Sequence, residues 1–456
     1  MNLDETIVAI STPPGSGGLG IVRLTGEKAL PIVQSIFRSK KKLSSFPKGR
    51  PVLGHLFHPE KQELFEEAYV TFFPGPHSYT REDVVEISGH GSPVILDEIV
   101  RLCIREGARC AHPGEFTLRA FINGRIDIIQ AEAINDLIHA SSMTQARISF
   151  RQLQGSLSQK INKVKDDIIH ILTQVEACLE FPDESLHISK KTINNSLKKT
   201  EQVLKSFIES YEIGKILSQG LTLAITGRTN TGKSTLFNTL INKKRAIVTP
   251  YPGTTRDYIQ EKVKIGDTLF FLTDMAGINS PDHPADKSAV RIAQKVARDA
   301  DGILILLDVS QEETPEDLKS IEKYKNKKAI LVFNKIDLPQ RMNINKILKK
   351  NPAISYVKIS ALRKTNIDTL RKKMEELFVP HLKEQDEIIL CLRQKHILED
   401  ILTTIKKCRQ LLSEGYPEEF LAEEIRRSVS IIGQLTGEIR AEDILKDIFK
   451  RFCVGK

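Results

Sequence analysis

The sequence predicts a multidomain chain of mixed α/β and α class: an N-terminal α+β domain, a helical bundle, and a phosphate-loop α/β domain inserted into that bundle. Three observations support this. Short apolar runs broken by Gly and Pro fill residues 1–120, and helix formers dominate 121–215 and 381–456. Between them, over 216–380, strand-like and helix-like segments alternate around the loop GRTNTGKS. About 150 residues per domain gives roughly three domains for a chain of this length. Insertion lets the two helical stretches form one bundle, because domain termini often lie close together at the surface. The rival arrangement is four domains in series.

In the N-terminal domain, TIVAIST, IVRLTG, EEAYVTFF, DVVEISGHG and PVILDEIVRLCIREG alternate with the turn-like PPGSGGLG and PGPHSYT. That is a pattern of strands with helices between them. From about residue 125 Gly and Pro become rare. In SLKKTEQVLKSFIESYEIGKIL the residues Leu197, Leu204, Phe207, Ile208 and Tyr211 share one helical face. The helices break near FPDESLH. In the α/β domain LTLAIT, TLFFLTD, GILILLD and AILVFNK read as strands of a parallel sheet covered on both faces. After KEQDE, Ile397, Ile401, Ile405, Cys408 and Leu412 return to helical spacing.

Composition excludes several classes. No apolar run approaches the ~18 residues of a membrane span, and the N-terminus has no signal or transit pattern. The expectation is a cytosolic protein with no membrane partner. Six cysteines are scattered without CxxC or zinc spacing, and most are expected to be buried. The net charge of +9 permits attraction to RNA, but the lysines stand in RSKKKL, SLKKTEQ, KNKK, ILKK and RKKMEE and read as solvated faces.

GRTNTGKS matches GxxxxGK[ST] between a strand and a helix. Gly227 and Gly232 let backbone N–H groups approach a polyanion, with Asn230, Thr231 and Thr235 in or beside the loop. Lys233 reaches the β and γ phosphates, and Ser234 offers a hydroxyl to Mg²⁺. Asn334, Lys335 and Asp337 form NKID. The Asp337 carboxylate can accept from both N1–H and the exocyclic amine of guanine, which adenine cannot match; its bland alternative is a helix N-cap. Ser360 and Ala361 stand where the base is closed over. Asp274 and Gly277, in TDMAG, face the metal and the γ-phosphate, and Thr255, in PGTTRD, is a second Mg²⁺ hydroxyl. Five motifs in order indicate GTP binding. Ile278 follows the DxxG glycine, so the usual water-orienting Gln is absent there.

The whole chain resembles the MnmE (TrmE) family of bacterial tRNA modification GTPases. Outside the GTPase domain the resemblance rests on TPPGSGGLGIVRLTG, FPGPHSYTREDVVEISGHGSPVIL, PGEFTLRAFINGRIDIIQAEAI and the terminal FCVGK. It implies an N-terminal folate-binding and dimerisation domain. It also implies modification of carbon 5 of the wobble uridine of certain tRNAs, with an aminomethyl or carboxymethylaminomethyl product. The implied partners are tRNA, a second copy, and the flavoprotein MnmG in a heterotetramer. The implied cofactors are GTP, Mg²⁺, K⁺ and a tetrahydrofolate derivative, 5-formyl- or methylene-tetrahydrofolate.

By the same resemblance, folate contacts fall on Arg23, Glu86, Arg125 and Lys456. Potassium ligands fall on Asn230, Thr249, Tyr251 and Thr254, which also border the nucleotide. Asp286 takes the place of the water-orienting glutamate, one methylene shorter, and Met275 replaces a threonine. Cys453 corresponds to a family cysteine with a chemical role. A ribosome-assembly or RNA-chaperone GTPase switch is the alternative function. A membrane-remodelling GTPase lacks a basic amphipathic anchor, and CVGK does not fit a prenylation signal.

Overall fold

The computed structural model describes residues 4–39, 48–180, 190–241, 260–274, 297–379, 388–389, 391–438, 448–450 and 452–455. Thr249, Tyr251, Thr254, Thr255, Gly277, Asp286 and Lys456 lie outside them, as does the Asp274 side chain. The chain forms two compact units. The first comprises residues 1–138, 149–205 and 396–456; the second comprises 139–148 and 206–395.

The first unit opens with β1 (Ile7–Ile10), β2 (Gly17–Thr25), α1 (Ala29–Ile36), β3 (Phe37–Arg38), β4 (Val52–His58), β5 (Glu63–Phe73), β6 (Val84–Gly91), α2 (Pro93–Arg105) and β7 (Arg109–Cys110). The strands form one sheet in the order β3-β4-β5-β6-β2-β1-β7, antiparallel except where β1 meets β7. One face is closed by α1 and α2. Val22 and Leu24 of β2 and Val85 and Ile87 of β6 point into this core with Ile32, Ile36, Ile99 and Leu102. Side chains alternate along a strand, so Arg23 and Glu86 emerge on the opposite face, directly across from one another in register.

Then come α3 (Glu115–Ile122), α4 (Ile128–Ile138), α5 (Met143–Leu153), α6 (Ser156–Glu180) and α7 (Lys190–Gln219). The side chain of Arg119 on α3 is only 1% exposed. It donates to Glu82 at 3.0 Å, to Glu115 at 3.3 Å and to the Glu5 carbonyl at 2.7 Å, which fixes α3 against the start of β1. A buried guanidinium is tolerated when its charge is paired and most of its donors are met; here Nε alone of its nitrogens has no acceptor among the described residues. The Glu115 carboxyl is raised by burial, but Arg109, the His112 N–H and Arg119 outweigh this and hold it below its ordinary value.

The second unit contains β8 (Leu221–Thr226), α8 (Lys233–Ile241), β9 (Gln260–Ile265), β10 (Thr268–Asp274), β11 (Gly302–Asp308), α9 (Pro315–Tyr324), β12 (Ala329–Asn334), α10 (Ile344–Lys350), β13 (Ser355–Lys358) and α11 (Ile367–Phe378). Its sheet order is β13-β12-β11-β8-β10-β9. β11 and β12 are buried throughout, as expected of central parallel strands with both faces covered. The wholly parallel sheet expected from sequence needs correction: β9 runs antiparallel to β10 at the edge. Its sequence, QEKVKI, is half charged, so it gives no apolar run to detect.

The chain then returns through α12 (Leu392–Glu414) and α13 (Glu418–Thr436). Leu197, Leu204, Ile401, Ile405 and Cys408 are buried, as their spacing indicates. Most of the cysteines are not. Only Cys103 and Cys408 are buried; Cys110, on the edge strand β7, and Cys453 are exposed, and Cys178 and Cys391 are intermediate.

Candidate functional site

In the second unit the phosphate loop joins β8 to α8, whose first residue is Lys233. The N–H groups of a first helical turn have no intrahelical acceptor, so they face the loop. Gly232 has φ +96°, and a Cβ there would stand 2.4 Å from the Asn334 amide nitrogen. Only glycine permits that approach. Asn230 also takes positive φ, at 60°, and lies exposed in the loop. The Lys233 ammonium donates to the carbonyls of Gly227 at 2.9 Å and Arg228 at 2.7 Å, which holds it across the loop. Ser234 and Thr235 are exposed on the first turn of α8.

Asn334, at the end of β12, joins two motifs. Its amide donates to the Thr231 carbonyl at 2.9 Å, and its oxygen accepts from the Ala361 N–H at 2.9 Å. It is 2% exposed. Thus the phosphate loop, NKID and the Ser360–Leu362 loop are one hydrogen-bonded assembly. Lys335 pairs with buried Asp308 at 2.7 Å. Burial raises the Asp308 carboxyl, but Lys335 and Ser310 outweigh it and hold it below its ordinary value.

Asp337 is exposed, and the Ser360 hydroxyl is the main cause holding its carboxyl low. It is therefore ionised at neutral pH, as a double acceptor must be. It is not a helix N-cap: α10 begins at Ile344 and is capped by Asn343. Ser234, with its hard oxygen beside the lysine, fits Mg²⁺, and the exposed Asn230 amide oxygen fits K⁺.

The first unit holds a second cluster. Arg23 donates to Glu86 through Nε at 2.8 Å, and their side chains are 15% and 23% exposed. The Arg23 guanidinium lies 5.6 Å from the Tyr79 ring centre and 5.8 Å from that of Phe116. Arg125 stands over the same Tyr79 ring at 4.8 Å and donates to the Tyr79 carbonyl at 2.7 Å. Burial pushes the Tyr79 hydroxyl up, despite its bond to Thr117 and the nearby Arg23 and Arg125.

The tail reaches this cluster. Phe449 and Phe452 are buried among Leu118, Phe121 and Ile134. Gly455 has φ +97°, and a Cβ there would stand 2.3 Å from the Ile10 carbonyl oxygen. Its own carbonyl accepts from Ser11 at 3.3 Å and from Arg23 at 3.4 Å. Cys453 is exposed on this tail.

The structure therefore brings together Arg23, Glu86 and Arg125, and separately Thr231, Lys233, Asn334, Lys335, Asp337, Ser360 and Ala361. Sequence reasoning missed Tyr79, Phe116 and Asp308. A signal for the first cluster was present: V-R-L in β2 and V-E-I in β6 each place one charge, of opposite sign, within an apolar strand. Among the described residues no His, Cys, Asp and Glu group has the form of a metal site, and no helix is long and apolar enough to cross a membrane.

Comparison with known proteins adds the following. Residues 6–125 match the family model described as GTP-binding protein TrmE N-terminus, and residues 128–453 match the MnmE helical domain. The sequence is 38% identical over 461 residues to a tRNA modification GTPase MnmE of Alkaliphilus oremlandii, covering 100% of both chains. It is 38% identical over 457 residues to that of Lactococcus lactis subsp. cremoris, covering 99% of this chain and 98% of the relative. Among solved structures, a single-residue variant of Aquifex aeolicus Era bound to GDP.AlF4- aligns with TM-score 0.29 at 29% identity, covering 40% of this chain and 66% of that one.

Proposed function

The chain belongs to the MnmE family of tRNA modification GTPases, and on that premise we propose a division of labour between its two clusters. The chain is a GTPase acting in tRNA modification. We assign guanine to Asp337, whose carboxylate accepts from both donors of the base edge, and the β and γ phosphates to the loop N–H groups and Lys233. The lysine turns from the Gly227 and Arg228 carbonyls to phosphate oxygens, exchanging neutral acceptors for charged ones. Asn334 keeps the base and phosphate halves in fixed relation, so those two parts need little ordering relative to one another.

Ser234 and Thr255 would hold Mg²⁺, with Asp274 acting on it through water; the ion supplies charge neutralisation at the phosphates when bound. Asn230, Thr249, Tyr251 and Thr254 would hold K⁺, which supplies positive charge where other GTPases use an arginine, in a dimer of these domains. Asp286 orients the attacking water in place of the family's glutamate.

The second cluster is assigned to a tetrahydrofolate derivative. Glu86 accepts from the N–H groups of a pterin ring, the Tyr79 face packs on a flat heterocycle, and Arg23, Arg125 and Lys456 face the carboxylates. Cys453, exposed on the docked tail, acts in the modification through its thiol. With the flavoprotein MnmG, the reaction puts an aminomethyl or carboxymethylaminomethyl group on carbon 5 of the wobble uridine.

The observation that carries the reading is the Asn334 bridge, which joins the phosphate loop to the base-recognition motif in a chain whose family match extends over the rest of its length. Mass spectrometry of wobble uridines from cells lacking the chain tests it. Loss of the carbon-5 modification is expected; unchanged nucleosides would point to ribosome assembly instead.

A further inference from the structure

One segment of this chain is strongly basic. Residues 339–373 contain ten Lys and Arg and one acid, Asp368. The chain has 67 basic and 58 acidic residues, so everything outside that segment holds 57 of each and is neutral. Those 35 residues alone thus carry a net charge equal to that of the whole chain, and basic runs such as RSKKKL outside them are balanced by acids elsewhere.

That segment is one piece of the second unit: α10, the edge strand β13, the Ser360–Leu362 loop and the first half of α11. Lys346, Arg371 and Lys373 have acidic partners, Glu313, Asp368 and Glu376. Lys349, Lys350, Lys358, Lys364 and Lys372 are exposed, with no ion pair among the described residues, while exposed Arg363 helps hold the Asp337 carboxyl low. Among the described residues β13 pairs with β12 alone and stands at the edge of the sheet. A groove of about 590 Å³ lies along it, lined by Ile354, Tyr356, Lys358, Asn366, Thr369 and Lys373. Tyr356 is 45% exposed there.

We propose that this basic edge is where the second unit grips the tRNA phosphate backbone; the inference rests on the tRNA reading above. α10 packs on one face of this sheet and α11 on the other, so their cations flank the edge strand β13 from both sides; like charges gathered along one edge repel one another and attract a polyanion. The groove has the volume of a small-ligand site and admits one unstacked nucleotide, with Tyr356 offering aromatic surface to its base. Lys358 and Lys373 then meet its phosphates, and Lys349 and Lys350 meet those that follow.

The test compares two full-length variants of equal charge. One is Lys349→Gln, Lys350→Gln, Lys358→Gln and Lys373→Gln together. The other is Lys198→Gln, Lys199→Gln, Lys319→Gln and Lys328→Gln, all exposed positions outside the segment. Binding of unmodified tRNA is titrated over a salt series, and GTP affinity is measured as a control for folding. The first variant should bind tRNA about 10–100-fold more weakly. The slope of log K against log salt should fall by about 3, since each lost phosphate contact removes roughly 0.7–0.9. The second should stay within about twofold of wild type. Equal loss in both variants, or full tRNA affinity in the first, overturns the inference. Failure of the wild-type chain to bind tRNA at all overturns the underlying reading instead.

Discussion

The two clusters are built on opposite plans. In the second unit, the nucleotide site is made largely of backbone, set at the ends of two central strands, β8 and β12. Lys233 follows its loop directly, and the Asn334 side chain ties the parts together. In the first unit, the cluster is made of side chains brought from positions far apart: Arg23 and Glu86 are 63 residues apart, and Arg23 and Gly455 are 432 apart. The first plan fixes geometry locally and survives changes elsewhere. The second depends on strand register and on a docked tail, so it senses distant changes.

The largest expected effect separates the two. Asp337→Asn removes a charged double acceptor and turns an amide donor toward a guanine donor. Two charge-assisted bonds at about 1.5–3 kcal/mol each predict roughly a thousandfold loss of GTP affinity. Xanthosine triphosphate should recover most of it, because its extra carbonyl accepts from the new amide. Calorimetry with both nucleotides reads this directly, and folate binding should not change. If Asp337→Asn still captured GTP normally, the guanine assignment would be wrong.

A smaller effect, in the other direction, follows from Glu86→Gln. It keeps the shape of the side chain but weakens both its bond to Arg23 and its capacity to accept from a pterin. Affinity for 5-formyl-tetrahydrofolate should drop by about 10–100-fold, with GTP turnover unaltered. A drop in turnover of similar size would show that the clusters are not separable.

The same contrast explains what the sequence revealed. A phosphate loop, NKID and SAL are short runs whose chemistry lies in adjacent residues, so spacing alone located them. The Arg23–Glu86 pair depends on which residue of β2 faces which residue of β6, and nothing local states that register; only the family resemblance brought those residues together. Tyr79 lies in the turn-rich PGPHSYT, where no periodicity marks an aromatic as structural. The edge strand β9 was hidden because half of its residues are charged. The N-cap alternative for Asp337 failed because the next helix begins seven residues later, at Ile344.

The last expected effect concerns stability. On α4, burial and the neighbouring Glu132 push the Asp136 carboxyl up to about 7. An unfolded aspartate ionises near pH 4, so between about pH 4 and 7 the unfolded chain gives up this proton while the folded first unit keeps it. Stability of that unit therefore falls as pH rises through this range and levels off above it. Asp308, in the second unit, has the opposite sign: its carboxyl is held below its ordinary value, so its contribution is complete above pH 4 and lost only in stronger acid. Hydrogen exchange read separately on α4 and β11 should show α4 protection weakening from pH 5 to 7, after correction for the intrinsic exchange rate. With Asp136→Asn that slope should vanish, because an amide has no proton to release, while β11 behaves as before. The change corresponds to several degrees in the melting of the first unit, at about 2–4 °C per kcal/mol. A slope that persisted in Asp136→Asn would show that the titration belongs to another group.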